Sequence, residues 1–449
     1  MQRVLRLAGH LAHADAPSAG AAPQTSGERG GEVRSRRPSQ RPAAASAAAT
    51  AAEERGQVVV TLIAAGNSGH VCAALFEENT RGRVRTQLLT SKPEIWKNST
   101  PRVRFPSGEV QEGKLYKVSD DPAELIPQSD IVIWTGPVNH TKETFVKIKP
   151  YFDTRKTVVG MIFAQGLVHV LAKNIFGSDV RFFALRNIPW LCRAPTKGEE
   201  AAIVGGKASI DVTTINLDQD FIKKEVEPLF VMQKTGKWEP VIEFLPDFCP
   251  VVFNPANQII HPACYWGLFR NWHGTPIEDT NEWLYRGMDE VAGHVLEVLD
   301  EELQQLKNAY FEATGATGCT HVIPLRDRLL KQYGDQIADK TSMARMIATN
   351  KAYSMAKTPV IRTELGVSPD PNHRVVTDDI GWGLCPLVSI AERLEVDGFK
   401  TPTSTMRMLI EWHEKMMSKE FLVNGRLGGR DCAELVLLQP SDPLEMVAR

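Results

Sequence analysis

The sequence predicts an α/β protein: a doubly wound parallel sheet in its first part, followed by a mostly α-helical second part. Three observations predict it. A continuous β-branched run, Val58-Val59-Val60-Thr61-Leu62-Ile63, passes straight into the small-residue turn Ala64-Ala65-Gly66-Asn67-Ser68-Gly69-His70, and an uninterrupted apolar run of this length marks a strand buried on both faces. Further strand-like segments recur at helix-length intervals, at 83–90, 130–134 and 157–163, the spacing of β–α–β units. Beyond about Cys249 long amphipathic patterns take over.

Taken in order, residues 1–56 stand apart. Ala, Ser, Gly and Pro dominate, Arg recurs without Lys, and no apolar periodicity is sustained, so this segment is not expected to join the core. Its opening sets Val4, Leu5, Leu7 and Leu11 beside Arg3 and Arg6. That pattern reads either as an organelle transit peptide or as an untargeted extension, and the protein is expected in the cytoplasm or an organelle accordingly. Residues 57–247 form the expected sheet domain, with the first helix over 71–78. Residues 248–449 form the expected helical domain. There the stripe Leu284, Met288, Val291, Val295, Leu296, Leu299 and Leu303 predicts a helix over 283–310, and further helices are predicted over 335–355, 384–394 and 403–421.

Composition narrows the function classes. The 449 residues carry 52 Lys and Arg against 54 Asp and Glu, a balance that gives no electrostatic case for a nucleic-acid or membrane partner. The longest uncharged apolar stretch, 157–172, is shorter than the roughly 20 residues needed to span a bilayer and contains Gln165 and His169. Seven cysteines occur singly, without the close pairs of a metal knuckle or redox dithiol, so no metal site is expected. Small-molecule partners and a monomer or homodimer are the expectation.

The strand–turn–helix opening is a Rossmann-type dinucleotide site, in which glycines let backbone N–H groups approach a pyrophosphate. Of its three glycine positions Ala64 fills the first, and Gly66 and Gly69 the others, with Asn67 and Ser68 between. NAD-selective sites place an acid about 20 residues on, at the end of the second strand. Thr90-Ser91-Lys92 stands there instead, a pair of hydroxyls and a cation suited to a 2′-phosphate, so NADPH is the expected cofactor and NADH the alternative. In Asn254-Pro255-Ala256-Asn257-Gln258-Ile259-Ile260-His261-Pro262, a helix opening with Asn254 as cap would put Asn257 and His261 on one face. The residues alone leave His261 either a core histidine or an acid/base. In His373-Arg374-Val375-Val376-Thr377-Asp378-Asp379, Asp379 either caps the following helix or orients a histidine, while Arg374 could clamp a carboxylate.

At these residues the chain, from about Val58 to Pro440, resembles the opine dehydrogenases of the octopine/nopaline dehydrogenase family. The resemblance rests on Gly66-Asn67-Ser68-Gly69-His70, on Asn187-Ile188-Pro189-Trp190-Leu191-Cys192-Arg193, on Asn257 to His261-Pro262, on Trp283-Leu284-Tyr285-Arg286-Gly287-Met288, and on Arg374 to Asp379 with Gly383-Leu384. It implies a helical second domain like that of 6-phosphogluconate dehydrogenase. It also implies an oxidoreductase acting on a CH–NH bond, which condenses an amino acid with an α-keto acid such as pyruvate and reduces the imine. The catalytic roles then fall on His261 as acid/base with Asp379 supporting it. Arg374 would bind the keto acid, with Asn257 nearby. Ala64, Asp378 in place of Glu, and Gly381-Trp382 in place of a Pro-aromatic pair depart from the family pattern. Two other functions fit the same architecture: a ketopantoate-reductase-like or 3-hydroxyacid dehydrogenase working without an amine, and a catalytically inactive NADPH-binding scaffold.

Overall fold

The computed structural model describes residues 56–207, 209–230 and 241–449. The expectations for the leader fall on residues 1–55 and lie outside those described. The chain opens with β1 (Val58–Ile63), α1 (Asn67–Asn79) and β2 (Val84–Leu89), followed by the short strands β3 (Arg102–Arg104), β4 (Val110–Glu112) and β5 (Lys117–Ser119). Then come β6 (Ile131–Trp134), α2 (Thr141–Ile148), β7 (Val158–Met161), α3 (Val168–Phe176) and β8 (Arg181–Leu185). β9 (Trp190–Thr196), β10 (Glu200–Gly206), β11 (Ser209–Ile215) and β12 (Val241–Phe244) complete the strands of this part.

The main sheet has the order β12-β11-β8-β7-β6-β1-β2-β5. From β5 to β8 every pairing is parallel, in the register Val60↔Ile131 and Leu62↔Leu88. β11 then runs antiparallel to β8, so one edge of the predicted parallel sheet is mixed. A second sheet, β4-β3-β10-β9, was not foreseen. Its strands are short or carry alternating exposed residues, a weaker pattern than the buried runs beside them. Together with the Phe230 ring, set edge-on to Phe76, it covers α1, whose residues Val71 to Phe76 are all buried.

The helical part begins at Cys249. Its main helices are α4 (Asn257–Phe269), α5 (Glu290–Thr314), α6 (Cys385–Val396) and α7 (Ser404–Met417). One apolar core joins it to the sheet, running from Ile63, Val132 and Val159 through Phe248 and Ile260 to Leu299 and Leu387. Three expectations are corrected here. α4 starts at Asn257, because Asn254 turns its amide to the His321 carbonyl (3.1 Å) instead of capping. α5 starts at Glu290, because Asp289 accepts from the Ala292 N–H (2.9 Å) and ends the preceding turn. Over 335–355 only Met343–Ala348 is α-helical. Asp339 accepts from the Thr341 N–H in a local turn that competes with helix, and Ser342 caps the short helix by accepting from the Arg345 N–H at 3.2 Å, so that it starts only at Met343.

Candidate active site

The Gly-rich turn lies where β1 leaves the carboxyl edge of the sheet, the edge at which doubly wound folds bind ligands. Ala64 adopts φ +70°, a left-handed conformation that glycine takes more readily, and the Thr135 hydroxyl bonds its carbonyl at 2.7 Å. Gly69 packs so closely beneath the turn that a Cβ there would lie 2.5 Å from the Ala64 oxygen. A Cβ on Gly66 would meet nothing within 4 Å. The first turn of α1 has neither a capping side chain nor an acid. Uncapped N–H groups facing open space suit a pyrophosphate, so these residues fit a dinucleotide. Asn67 accepts from the Ala194 N–H (3.1 Å) and Ser68 lies 3.8 Å from the Cys192 sulfur, which seats the turn on β9. His70 is buried beside Trp96, and burial lowers its pKa to about 4. Its role here is packing. After β2, Thr90 is half-buried while Ser91 and Lys92 are exposed, with the Thr90 hydroxyl accepting from the Lys92 N–H at 3.3 Å.

The loop after β7 carries the sheet edge to the helical part. Gln165 accepts from Gln258 on α4 at 3.1 Å, and a Cβ on Gly166 would lie 2.5 Å from the Trp382 carbonyl oxygen. Trp382 belongs to a π-helical turn, Ile380–Leu384, and Asp379 immediately precedes it. α4 and this turn therefore present His261 and Asp379 to each other. His261 Nδ1 is 2.7 Å from Asp379 Oδ2 and its Nε2 is 2.6 Å from the Tyr285 hydroxyl. The side chains of His261 and Asp379 are 11% and 5% exposed, so the pair is largely enclosed. Asn257, half-buried, lies one helical turn before His261.

Arg374 lies in the short helix Arg374–Thr377, its side chain 55% exposed and its Nε 3.4 Å from Asp378 Oδ2. Asp378 is buried, and burial pushes its carboxyl up to about 7, with Arg374 opposing and Asp379 adding to the rise. A carboxyl whose pKa is raised on folding adds stability below its ordinary value near 3.8 and loses it as pH climbs to about 7. Asp378→Asn, which mimics the neutral acid, is therefore expected to be more stable than the wild type at pH 8 by an amount on the order of a few kcal/mol, the advantage developing between those two values. Thermal melts from pH 4 to 8 test it; a difference independent of pH would refute it.

Of the residues expected to act together, the structure pairs His261 with Asp379 and places Arg374 against Asp378, the neighbour of Asp379, while Asn257 lies one turn before His261 on α4. Sequence reasoning gave no role to Tyr285, although it lies within the Trp283 to Met288 motif. It also passed over Arg328, which forks onto the Asn254 and Pro255 carbonyls at 2.8 Å each. Among the described residues no cluster of three or more His, Cys, Asp or Glu is placed to hold a metal, and no helix is long and apolar enough to cross a membrane.

This fold, with its open glycine turn at the carboxyl edge, is that of a nicotinamide-dependent dehydrogenase. Residues 244–417 match the family described as NAD/NADP octopine/nopaline dehydrogenase, alpha-helical domain. The chain is 26% identical over 393 residues to an opine dehydrogenase of Haliotis discus hannai, covering 84% of this chain and 94% of the relative. It is 26% identical over 386 residues to the octopine dehydrogenase of Mizuhopecten yessoensis, covering 83% and 94%. A solved octopine dehydrogenase with NADH and L-arginine shares the fold at a TM-score of 0.73 and 24% identity, covering 84% of this chain and 94% of that one. Over residues 244–417 the chain thus matches the helical domain of the octopine/nopaline dehydrogenases, and along most of its length it is similar to opine and octopine dehydrogenases.

Proposed function

We propose that the protein is an opine dehydrogenase, which condenses an amino acid with an α-keto acid such as pyruvate and reduces the resulting imine with NADPH, NADH being the alternative donor. The observation that carries this reading is the enclosed Asp379–His261 pair beside Arg374, at the sheet edge where the glycine turn opens. The relatives named opine and octopine dehydrogenase, one solved with NADH and L-arginine, support it.

When bound, the dihydronicotinamide supplies the hydride. Asp379 accepts a hydrogen bond from the Nδ1–H of His261, which fixes the ring tautomer and orientation. The proton for the carbonyl oxygen is then carried at Nε2. Arg374 offers two parallel N–H donors to the keto-acid carboxylate and holds the carbonyl in line for attack. In this reading the sheet part, 57–247, holds the cofactor and the helical part, 248–449, holds the substrates.

Following NADPH oxidation with pyruvate, alone and with a panel of amino acids, tests the reading. Oxidation is expected only when both substrates are present. Equal oxidation with the keto acid alone would replace it with a ketopantoate-reductase-like or 3-hydroxyacid dehydrogenase, and binding without turnover would leave a scaffold. The cofactor preference rests on Thr90-Ser91-Lys92. Lys92→Ala is expected to weaken NADPH binding by about 1 to 2 kcal/mol, the range of a charge-assisted hydrogen bond, with NADH binding unchanged. Equal affinities in mutant and wild type would remove Lys92 from the site.

A further inference from the structure

Each ring nitrogen of an imidazole offers one in-plane position for a hydrogen bond. In His261 both are filled: Nδ1 by Asp379 at 2.7 Å and Nε2 by the Tyr285 hydroxyl at 2.6 Å. A substrate oxygen can take Nε2 only if that hydroxyl moves away. Tyr285 is not built to move. Its ring stacks on Tyr353 with centroids 4.4 Å apart and planes 22° from parallel, and Tyr353 is in turn set edge-on to Tyr333. The backbone on either side is also held, Leu284 N–H donating to the Ala356 carbonyl at 2.9 Å and Met288 N–H to the Tyr285 carbonyl at 3.2 Å. Tyr285 is 9% exposed, so swinging it out would strip an aromatic ring from a packed cluster.

A phenol can accept one hydrogen bond while donating another. Facing a protonated His261, Tyr285 accepts from Nε2–H and keeps its own O–H for a third group. We propose that the Tyr285 hydroxyl is the acid that touches the substrate oxygen, with His261 and Asp379 acting through it. The inference rests on the opine dehydrogenase reading and deepens it. During condensation the amine nitrogen bonds to the keto carbon, and the C–O bond of the adduct then breaks with its electron pair remaining on oxygen. That oxygen has already taken one proton from the amine nitrogen; the Tyr285 proton is its second, and it leaves as water, with the nitrogen lone pair closing the protonated imine. The Nε2 proton of His261 replaces the Tyr285 proton on the phenol oxygen, leaving a neutral imidazole whose Nδ1–H still faces Asp379. No charge is left on the phenol, in keeping with burial raising the pKa of Tyr285.

Tyr285→Phe removes one oxygen and keeps the ring and its stack. With pyruvate and the preferred amino acid, kcat is expected to fall by about 100-fold, as for loss of a general acid, with NADPH binding and melting temperature unchanged. The solvent deuterium isotope effect on kcat is expected to change as well. Undiminished kcat with a lower KM for the keto acid would overturn the proposal, since the hydroxyl would then only occupy the place the substrate takes. Should Tyr285→Phe fold poorly, 3-fluorotyrosine at position 285 preserves shape while making the phenol more acidic. An altered kcat and isotope effect support the relay, and unaltered values overturn it. Absence of amine-dependent oxidation in the wild type would instead overturn the underlying reading, and the relay with it.

Discussion

His261→Ala is expected to lower the turnover number by about 100-fold or more while leaving NADPH binding intact, because general acid/base groups contribute roughly 10²- to 10⁴-fold. Asp379→Asn is expected to lose part of the same factor. Its 2.7 Å partnership with Nδ1 orients the ring and holds its tautomer, which an amide can do only in part. Because the two residues act as a unit, the double mutant should be little worse than His261→Ala. Arg374→Ala differs in kind. Its side chain is half-exposed and reaches only Asp378 among the ion pairs described, so its loss should chiefly raise the KM for the keto acid, by about 2 to 3 kcal/mol. If His261 were only a packing group, the mutant would lose melting temperature first and keep normal activity per folded molecule. Turnover and thermal stability measured on the same samples decide between these, and a folded, fully active His261→Ala protein would end the mechanism.

The parts of this site that were legible in the sequence are those in which local pattern dictates geometry. Val58 to Ile63 followed by small residues has few structures open to it, and the observed strand matches those bounds. Asn257 and His261 lie four apart on one helix, as their spacing required, even though the helix opens later than an Asn254 cap would have set it. The pairing of His261 with Asp379, 118 residues away, has no local signature and was reached only through the family resemblance. Tyr285 shows the same limit. Its segment carried the apolar stripe of a helix, yet the Asp289 cap leaves it in a turn, and only that turn brings its hydroxyl to Nε2. The helix predicted over 335–355 was cut short for a local reason: the Asp339 turn interrupts its first part, and the Ser342 cap sets its start at Met343.

Gly69→Ala and Gly66→Ala are expected to weaken cofactor binding by different routes. A methyl on Gly69 would lie 2.5 Å from the Ala64 carbonyl oxygen and 2.6 Å from the Thr135 hydroxyl. The hydroxyl can rotate aside, but the carbonyl is fixed at the end of β1, so α1 must back away from the sheet. Overpacking of this kind costs about 1 to 3 kcal/mol, and Gly69→Ala should melt several degrees lower and bind NADPH at least 10-fold more weakly. A methyl on Gly66 meets no protein atom within 4 Å, and φ −73° at that residue suits alanine. Gly66→Ala should therefore keep its melting temperature. Its methyl would stand in the open space before the uncapped N–H groups of α1, where the pyrophosphate must come close, and NADPH affinity should fall by at least a similar factor. Ala64→Gly runs the other way, since it relieves a left-handed alanine worth about 1 to 2 kcal/mol, offset in part by the greater freedom of an unfolded glycine. Melting curves and NADPH titrations on the three variants separate packing from ligand approach. If Gly66→Ala bound NADPH as the wild type does, the open space above Gly66 would not be the phosphate site, and the dinucleotide would have to be placed elsewhere on the carboxyl edge.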